Sequence, residues 1–291
     1  MKIMPKQGVA LVLTLAGVMA VAAWAQQQGY DFETKGAPPL KVAPGVLGVL
    51  QKSSFSLGML RRVVPNTHGV TGLLLIANGT MAEPLQGGTW AEYKVPKLQL
   101  EMAYFPFRQG VNVSPGARWD YTLVDASGQM QRRIEVVAGT AAWNEPTPGG
   151  AATPMMETAS YRLAQNWLFP HGFLWASLTA DSKGVAEGVK MSQEGGKTVV
   201  TFVVNGVPAK ATLDDKDRPE KIEVRLKHPV LGETPVEFAY SDYRDIEYGY
   251  DVMFPEHIVE KIGGHTTLDL KVTEFHTNPY SVFPIPPNVA K

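Results

Sequence analysis

The histidines are the side chains of this sequence that could hold a metal ion. They are His68, His171, His228, His257, His265 and His276. A zinc site needs three or four ligands that converge on one point. His265 and His276 bracket one predicted strand, and at about 3.3 Å per residue they lie roughly 35 Å apart. An edge site between His257 and His265 has no carboxylate at ligand spacing, so we expect no metal ion and no cofactor.

Nucleophilic catalysis has no recognisable motif in the chain. There is no cysteine, and no Gly-x-Ser-x-Gly segment that would expose a serine on a sharp turn. A Ser-His-Asp set could still assemble from distant positions, because geometry rather than chain order defines it. Asp242 and Asp245, on either side of Arg244, could act as paired carboxylates, although turn capping with an exposed ion pair is the favoured interpretation. We therefore do not expect an enzyme.

His171 stands between Pro170 and Gly172 in a stretch rich in aromatic residues. One interpretation is structural: the ring would hydrogen-bond the free carbonyls at the end of a preceding helix. The other is functional: the ring would supply one polar contact at the mouth of an apolar groove. The residues that would line this groove mouth are Trp143, Asn144, Trp167, Phe169, His171, Phe173 and Trp175.

The second half of the chain carries the elements that would form such a groove. Two β-branched runs within 197–213 are joined by Asn205-Gly206, which is the strongest short signal for a β-hairpin. In 221–226 apolar and charged residues alternate strictly, which predicts a further strand, and Pro229 ends it. Further alternating segments at 236–240, 252–262 and 266–275 complete an antiparallel meander with one apolar face.

The segment 155–180 is the best helical candidate to cover that apolar face. Leu163, Trp167 and Leu168 form one stripe at helical spacing, and a second short helix over 173–178 is predicted after the Pro170-His171-Gly172 interruption. Upstream, further strands are predicted at 70–77, 97–107, 119–124 and 131–138, with a helix within 44–63 and a Gly/Pro-rich loop at 141–154.

The N-terminus has the features of a secretory signal peptide. Lys2 and Lys6 precede an uncharged apolar run over 8–23, which ends in the A-x-A sequence Ala23-Trp24-Ala25. The run is too short to favour a membrane span. We expect cleavage after Ala25, a periplasmic bacterial product, an N-terminal segment at 26–65 that includes a helix, and one half-barrel domain over 66–291.

The composition restricts the class of partner. A formal net charge of −1 argues against binding to nucleic acid or to an anionic membrane surface, since both need a dense basic field. Without cysteine, an exported chain must be stabilised by its core alone. The 28 glycines and 22 prolines suit a β-rich fold with many turns.

Several segments, in their order and spacing, resemble a known family. They are Ala141–Gly150, Trp167–Leu174, Val203–Pro208, Tyr240–Asp245 and the dipeptide Phe254-Pro255. These segments resemble the N-terminal accessory domain of some exported metallo-β-lactamase-fold hydrolases, which is in turn similar to the LolA/LolB-like lipoprotein-carrier fold. The resemblance covers about Trp119 to Pro287.

The resemblance implies a fold class and a function. It implies a mainly β (α+β) protein: a curved antiparallel sheet, or incomplete barrel, with helices that cover its concave face. The metal-binding H-x-H-x-D-H cluster of those hydrolases is absent from the sequence. We therefore expect a non-catalytic binding protein that holds a lipid, an acyl chain or another apolar molecule. The alternative is a stand-alone accessory domain that interacts with a separately encoded periplasmic hydrolase or envelope protein.

Overall fold

The computed structural model describes residues 43–59, 70–104, 114–179, 184–245 and 252–290, all of which belong to one compact unit. The predicted signal peptide and His68 lie outside these residues. The strands are β1 Gly72–Pro84, β2 Trp90–Ala103, β3 Gly116–Val124, β4 Met130–Ala138, β5 Ala141–Glu145, β6 Thr153–Pro154, β7 Lys190–Glu194, β8 Lys197–Val204, β9 Val207–Leu213, β10 Pro219–His228, β11 Gly232–Asp245, β12 Met253–Ile262 and β13 His265–Thr277.

All of these strands belong to one antiparallel sheet of 13 strands. The spatial order is β6-β5-β4-β3-β2-β1-β13-β12-β11-β10-β9-β8-β7, so every neighbour is adjacent in sequence except the pair β1 and β13. That pair joins residues some 200 positions apart, for example Leu73 with Thr277. The strands β6 and β7 form the two free edges, and the sheet therefore does not close into a barrel.

The helices are α1 Gly45–Ser56, α2 Ala159–Leu168 and α3 Pro170–Ser177, and a 3₁₀ turn at Met156–Thr158 precedes α2. The last two connect the edge strands β6 and β7. Proline at the first position of α3 forces the preceding Phe169 into extended backbone, which separates the two helices. Gly172 allows α3 to approach α2 closely, because a Cβ atom there would lie 2.0 Å from the carbonyl oxygen of Asn166.

The sheet curves around α2. Tyr161 and Arg162 are consecutive residues of this helix. The Tyr161 ring lies 4.9 Å from the ring of His228 on β10, while Arg162 donates a 3.0 Å hydrogen bond to the carbonyl of Trp143 on β5. In a flat sheet β5 and β10 would be about 38 Å apart, at ~4.8 Å per strand. Two neighbouring side chains can contact both strands only because the sheet bends, which confirms the predicted incomplete barrel with helices on its concave face.

The turn signals of the sequence are confirmed. Asn205 and Gly206 both have positive φ angles, 49° and 82°, and Val204 pairs directly with Val207. A second tight turn lies at Gly263-Gly264, between the predicted strand segments 252–262 and 266–275, where Ile262 pairs with His265. These turns depend on nearby residues alone, because only backbone that tolerates positive φ fits a tight two-residue hairpin.

Several predicted boundaries were wrong. The segment predicted as a loop at 141–154 contains β5 and the short β6. The predicted break at Pro170-His171-Gly172 lies instead at Phe169, and these three residues begin α3. The predicted turn around Asp242 and Asp245 is also wrong, because β11 continues to Asp245 in unchanged register with β12, although Asp242 has a positive φ of 57°.

The hydrophobic side chains form two clusters on opposite faces of the sheet. The large cluster fills the space between the concave face and the helices, and it includes Leu50 and Leu57 from α1 and its C-terminal end. The smaller cluster joins strands β2, β4 and β5 to Phe283 and Val289 of the C-terminal segment. In β4, the alternation therefore buries Ile134, Val136 and Ala138 on the outer face.

Candidate functional site

A cavity of about 550 Å³ lies between the N-terminal half of α2 and the concave face of the sheet. We call it the α2 cavity. Its wall includes the apolar side chains of Met81, Trp119, Ile262 and Leu268. The volume lies within the range of roughly 300 to 1,000 Å³ that is usual for small-molecule sites. The α2 cavity is therefore large enough to take a ligand.

Of the groove residues predicted from sequence, only Asn144 lines the α2 cavity. Phe169 and Phe173 are buried in the large cluster, with 1% and 0% of their surface exposed. Trp143 is also fully buried, but in the outer cluster beneath the C-terminal segment, where its indole Nε1 donates to Glu145. Trp167 and Trp175 are partly buried against the large cluster, and Trp175 Nε1 donates to the carbonyl of Val70.

His171 has a structural environment. The ring is completely buried, and Nε2 lies 3.2 Å from the carbonyl oxygen of Leu57 at the end of α1. Because a carbonyl only accepts, Nε2 carries the proton in this contact. Burial lowers the pKa of His171 to about 4, so the ring is neutral at physiological pH. His171 thus binds the end of a helix, as one interpretation of the sequence expected, but that helix is α1 rather than the helix that precedes it.

Two arginines enter the α2 cavity, and both are paired with groups of the chain itself. Arg133 on β4 forms ion pairs with Glu83 and with Glu135. Arg162 on α2 donates to the carbonyls of Val136 and Trp143 and to Asn144, and its guanidinium lies 3.6 Å from Glu135. The contacts of Arg162 connect α2 with β4 and β5, and the ion pair of Arg133 with Glu83 connects β4 with β1.

Glu260 is the exceptional acidic residue of the cavity. It is only 3% exposed, and its carboxylate accepts hydrogen bonds from the amide of Gln165 at 3.0 Å and from the hydroxyl of Thr267 at 2.8 Å. Within the described part of the chain it has no ion pair. Burial raises the pKa of Glu260 to about 6, because a charged carboxylate loses its hydration and receives no cation in return.

A β-bulge places this carboxylate. Glu260 pairs with Leu268 and Lys261 pairs with Thr266, so Thr267 is an extra residue on β13. Bulges commonly redirect a side chain beside a functional site.

The sequence held a signal for Glu260, since it occupies the inward position between Ile258 and Ile262 in an alternating strand. We did not predict it, because the alternation was used only to find the apolar face.

Three buried polar atoms of the cavity wall have no hydrogen-bond partner among the described residues. They are the hydroxyl of Tyr161, the indole nitrogen of Trp119 and Nε of Arg133. The side chains of Tyr161 and Trp119 are at least nine-tenths buried, with 9% and 2% of their surface exposed. Buried polar atoms without partners are uncommon in native proteins and call for an explanation, which a bound ligand would supply.

Two large apolar side chains of the α2 cavity lining are exposed, and a third exposed apolar residue adjoins the lining in sequence. Leu85 and Val230 belong to the lining and are 47% and 51% exposed. Met156, which is 46% exposed, lies between the lining residues Met155 and Glu157. Large exposed apolar side chains beside a cavity are typical of a site that receives an apolar molecule or a partner.

The Glu260→Gln substitution is expected to stabilise the protein at neutral pH. The pKa of Glu260 is raised from 4.5 in the unfolded chain to about 6 in the fold. The native state therefore binds more protons between these values, and its stability falls as the pH rises through this window. The unfolding free energy of the variant relative to the wild type should increase by about 2 kcal/mol from pH 4.5 to pH 7.

Urea unfolding of both proteins across this pH range measures that difference. The buried His171 titrates in the same range, but its contribution is common to both proteins and cancels. A difference that stays constant with pH would show that Glu260 is not the buried, unpaired carboxylate described above.

The other histidines that the structure describes have separate surroundings. Among the residues described, no group of three or more His, Asp or Glu side chains is arranged to hold a metal ion. His257 contacts Asp269 at 2.8 Å, and His265 stacks on Trp90 with the ring centres 4.0 Å apart. His228 accepts backbone hydrogen bonds from Val230 and Leu231 through Nδ1.

None of the helices that the structure describes is long and apolar enough to cross a membrane. No protein-family profile matches this chain, and the curated proteins likewise contain no match.

Proposed function

We propose that this chain is an exported, non-catalytic binding protein that holds an amphipathic molecule with an acyl or other apolar chain. The ligand site is the α2 cavity. The observation that carries the proposal is the cavity itself: its wall combines apolar side chains with buried polar groups, and two exposed apolar side chains belong to its lining. A concave site with both apolar surface and placed polar groups suits a molecule that has an apolar chain and a polar end.

The packing of the interior supports this position for the ligand. The region around Phe169, His171 and Phe173 is filled by side chains that are at most 1% exposed. An apolar chain therefore has no space there. Tyr161 and Glu260, in contrast, line the α2 cavity, which leaves space for a ligand beside the contacts between α2 and the sheet.

A change at Met155 tests the proposal. Met155→Trp places a larger side chain in the cavity wall and should weaken binding of the uncharged apolar dye Nile red at least about tenfold. Met130→Trp is the matched control, because Met130 lies at the start of β4, is 67% exposed and is not among the cavity residues. Nile red fluorescence titrations measure both affinities.

Mass spectrometry of solvent extracts from the purified protein completes this test. The wild type should retain an amphipathic molecule, and Met155→Trp should retain less of it. Absence of a retained molecule together with absence of Nile red binding would contradict the proposal.

A second candidate function is that of an interaction domain for a separately encoded hydrolase or envelope protein. The exposed Leu85 and Val230 favour it, since such side chains also mark protein interfaces. If this function is correct, a partner from a periplasmic extract should bind the wild type and Met130→Asp but not Val230→Asp. Nile red binding would then be weak in all three proteins.

A further inference from the structure

We propose that the ligand of the α2 cavity carries a cationic amine, which lies against Glu260 and the hydroxyl of Tyr161. This inference rests on the proposed function and names the chemistry of the ligand's polar group. It is carried by the charges of the cavity wall and by the hydrogen bonds that the chain leaves unmade.

The cavity wall has an excess of negative charge. It contains four carboxylates, Glu83, Glu135, Glu157 and Glu260, but only two guanidiniums, those of Arg133 and Arg162. His228 adds no positive charge at neutral pH, because burial lowers its pKa. The wall therefore carries two more negative than positive charges at neutral pH and favours a cation over an anion.

The two arginines are unsuited to binding an anionic head group. Arg133 is engaged with Glu83 and Glu135, and Arg162 is engaged with backbone carbonyls, Asn144 and Glu135. A carboxylate or phosphate on a ligand would have to displace these internal partners. It would also approach Glu260, which would repel it.

Glu260 has the opposite properties. Its hydrogen-bond donors, Gln165 and Thr267, are both neutral, so the charge of the carboxylate is not compensated within the described chain. The buried hydroxyl of Tyr161, on the helix above, has no partner and can accept a hydrogen bond. An ammonium group has three donors and no acceptor, and it would satisfy both oxygen atoms in one place.

Three ligands of equal chain length distinguish the possibilities: decylamine, decanol and decanoate. At pH 8 the amine is a cation, the alcohol is uncharged and decanoate is an anion, and competition with Nile red gives the three affinities. We expect decylamine to bind at least about tenfold more tightly than decanol, since only the amine brings a positive charge to the Glu260 carboxylate, and decanoate to bind most weakly.

The substitution Glu260→Gln should reduce decylamine affinity about tenfold and leave decanol affinity within about twofold, because it removes the charge and retains the shape. Glu237→Gln is the control: Glu237 lies on the neighbouring strand β11, on the outer face, and pairs with Lys261. It should change neither affinity. Tyr161→Phe, a second variant, should weaken decylamine more than decanol.

The outcomes separate the two proposals. If none of the three molecules displaces Nile red and the dye itself does not bind, the proposed function fails. If decanol or decanoate binds as tightly as decylamine, or if Glu260→Gln weakens all three equally, the cavity binds apolar chains but the amine inference is overturned. Circular dichroism and thermal unfolding establish that each variant is folded.

Discussion

Replacing Phe169 by alanine is expected to lower the free energy of unfolding by about 3 to 5 kcal/mol. The ring is 1% exposed, and its centre lies 5.9 Å from Trp119 on β3 and 5.7 Å from Phe238 on β11. These strands are five positions apart in the sheet, so the ring fills the space across the curved interior. Its loss would leave a cavity that the sheet cannot close without a change of curvature.

Trp167→Ala is the matched control for Phe169→Ala. Trp167 is the larger side chain, but it is only partly buried, and its centre lies 6.1 Å from that of Tyr104. We expect a cost of about 1 to 2 kcal/mol. Urea unfolding at pH 7 measures both values, and an equal or larger cost for Trp167→Ala would show that Trp167 rather than Phe169 holds the helices against the sheet.

Replacing Arg162 by alanine is expected to cost about 3 kcal/mol. The side chain of Arg162 is 7% exposed. Without it, the carbonyl of Trp143 and the side chain of Asn144 lose a hydrogen-bond donor, and Glu135 loses a nearby positive charge. A buried group that loses its partner bears its full desolvation cost. Arg162→Lys should recover only a minor part, because a lysine ammonium cannot reproduce the planar fork of the guanidinium.

Arg132→Ala provides the comparison for Arg162→Ala. Arg132 pairs with Asp120 at 2.6 Å, but its side chain is 46% exposed. Exposed ion pairs contribute at most about 1 kcal/mol. Denaturant midpoints should therefore separate the two arginines clearly, and similar midpoints would mean that the contacts of Arg162 contribute little to the fold.

The sequence predicted strands and turns correctly where they depend on residues that are neighbours in the chain. The Asn205-Gly206 hairpin is confirmed because its two residues tolerate the backbone angles that the turn requires. The residues around Asp242 and Asp245 show the limit of this reasoning. Their polar composition predicted a turn, but pairing with β12 continues the strand to Asp245.

The candidate site was largely beyond the sequence signals that we used. Aromatic residues near His171 predicted a groove, but most of them pack in the two cores, and of that set only Asn144 lines the α2 cavity. Glu260 and Arg162 were missed since a charged residue within an apolar pattern identifies neither its partners nor the space beside it. Their partners lie on strands distant in sequence.

The sequence by itself determined the antiparallel strands of the second half, their tight turns and the helical segment that begins near Met155. These features depend on the preferred backbone angles and apolar spacing of adjacent residues. Only the tertiary structure decided the pairing of β1 with β13, the curvature around α2 and the meeting of Glu260 with Gln165. The strand pair unites residues about 200 positions apart and the contact of Glu260 with Gln165 spans 95 positions, and their association reflects shared burial rather than any local conformational preference.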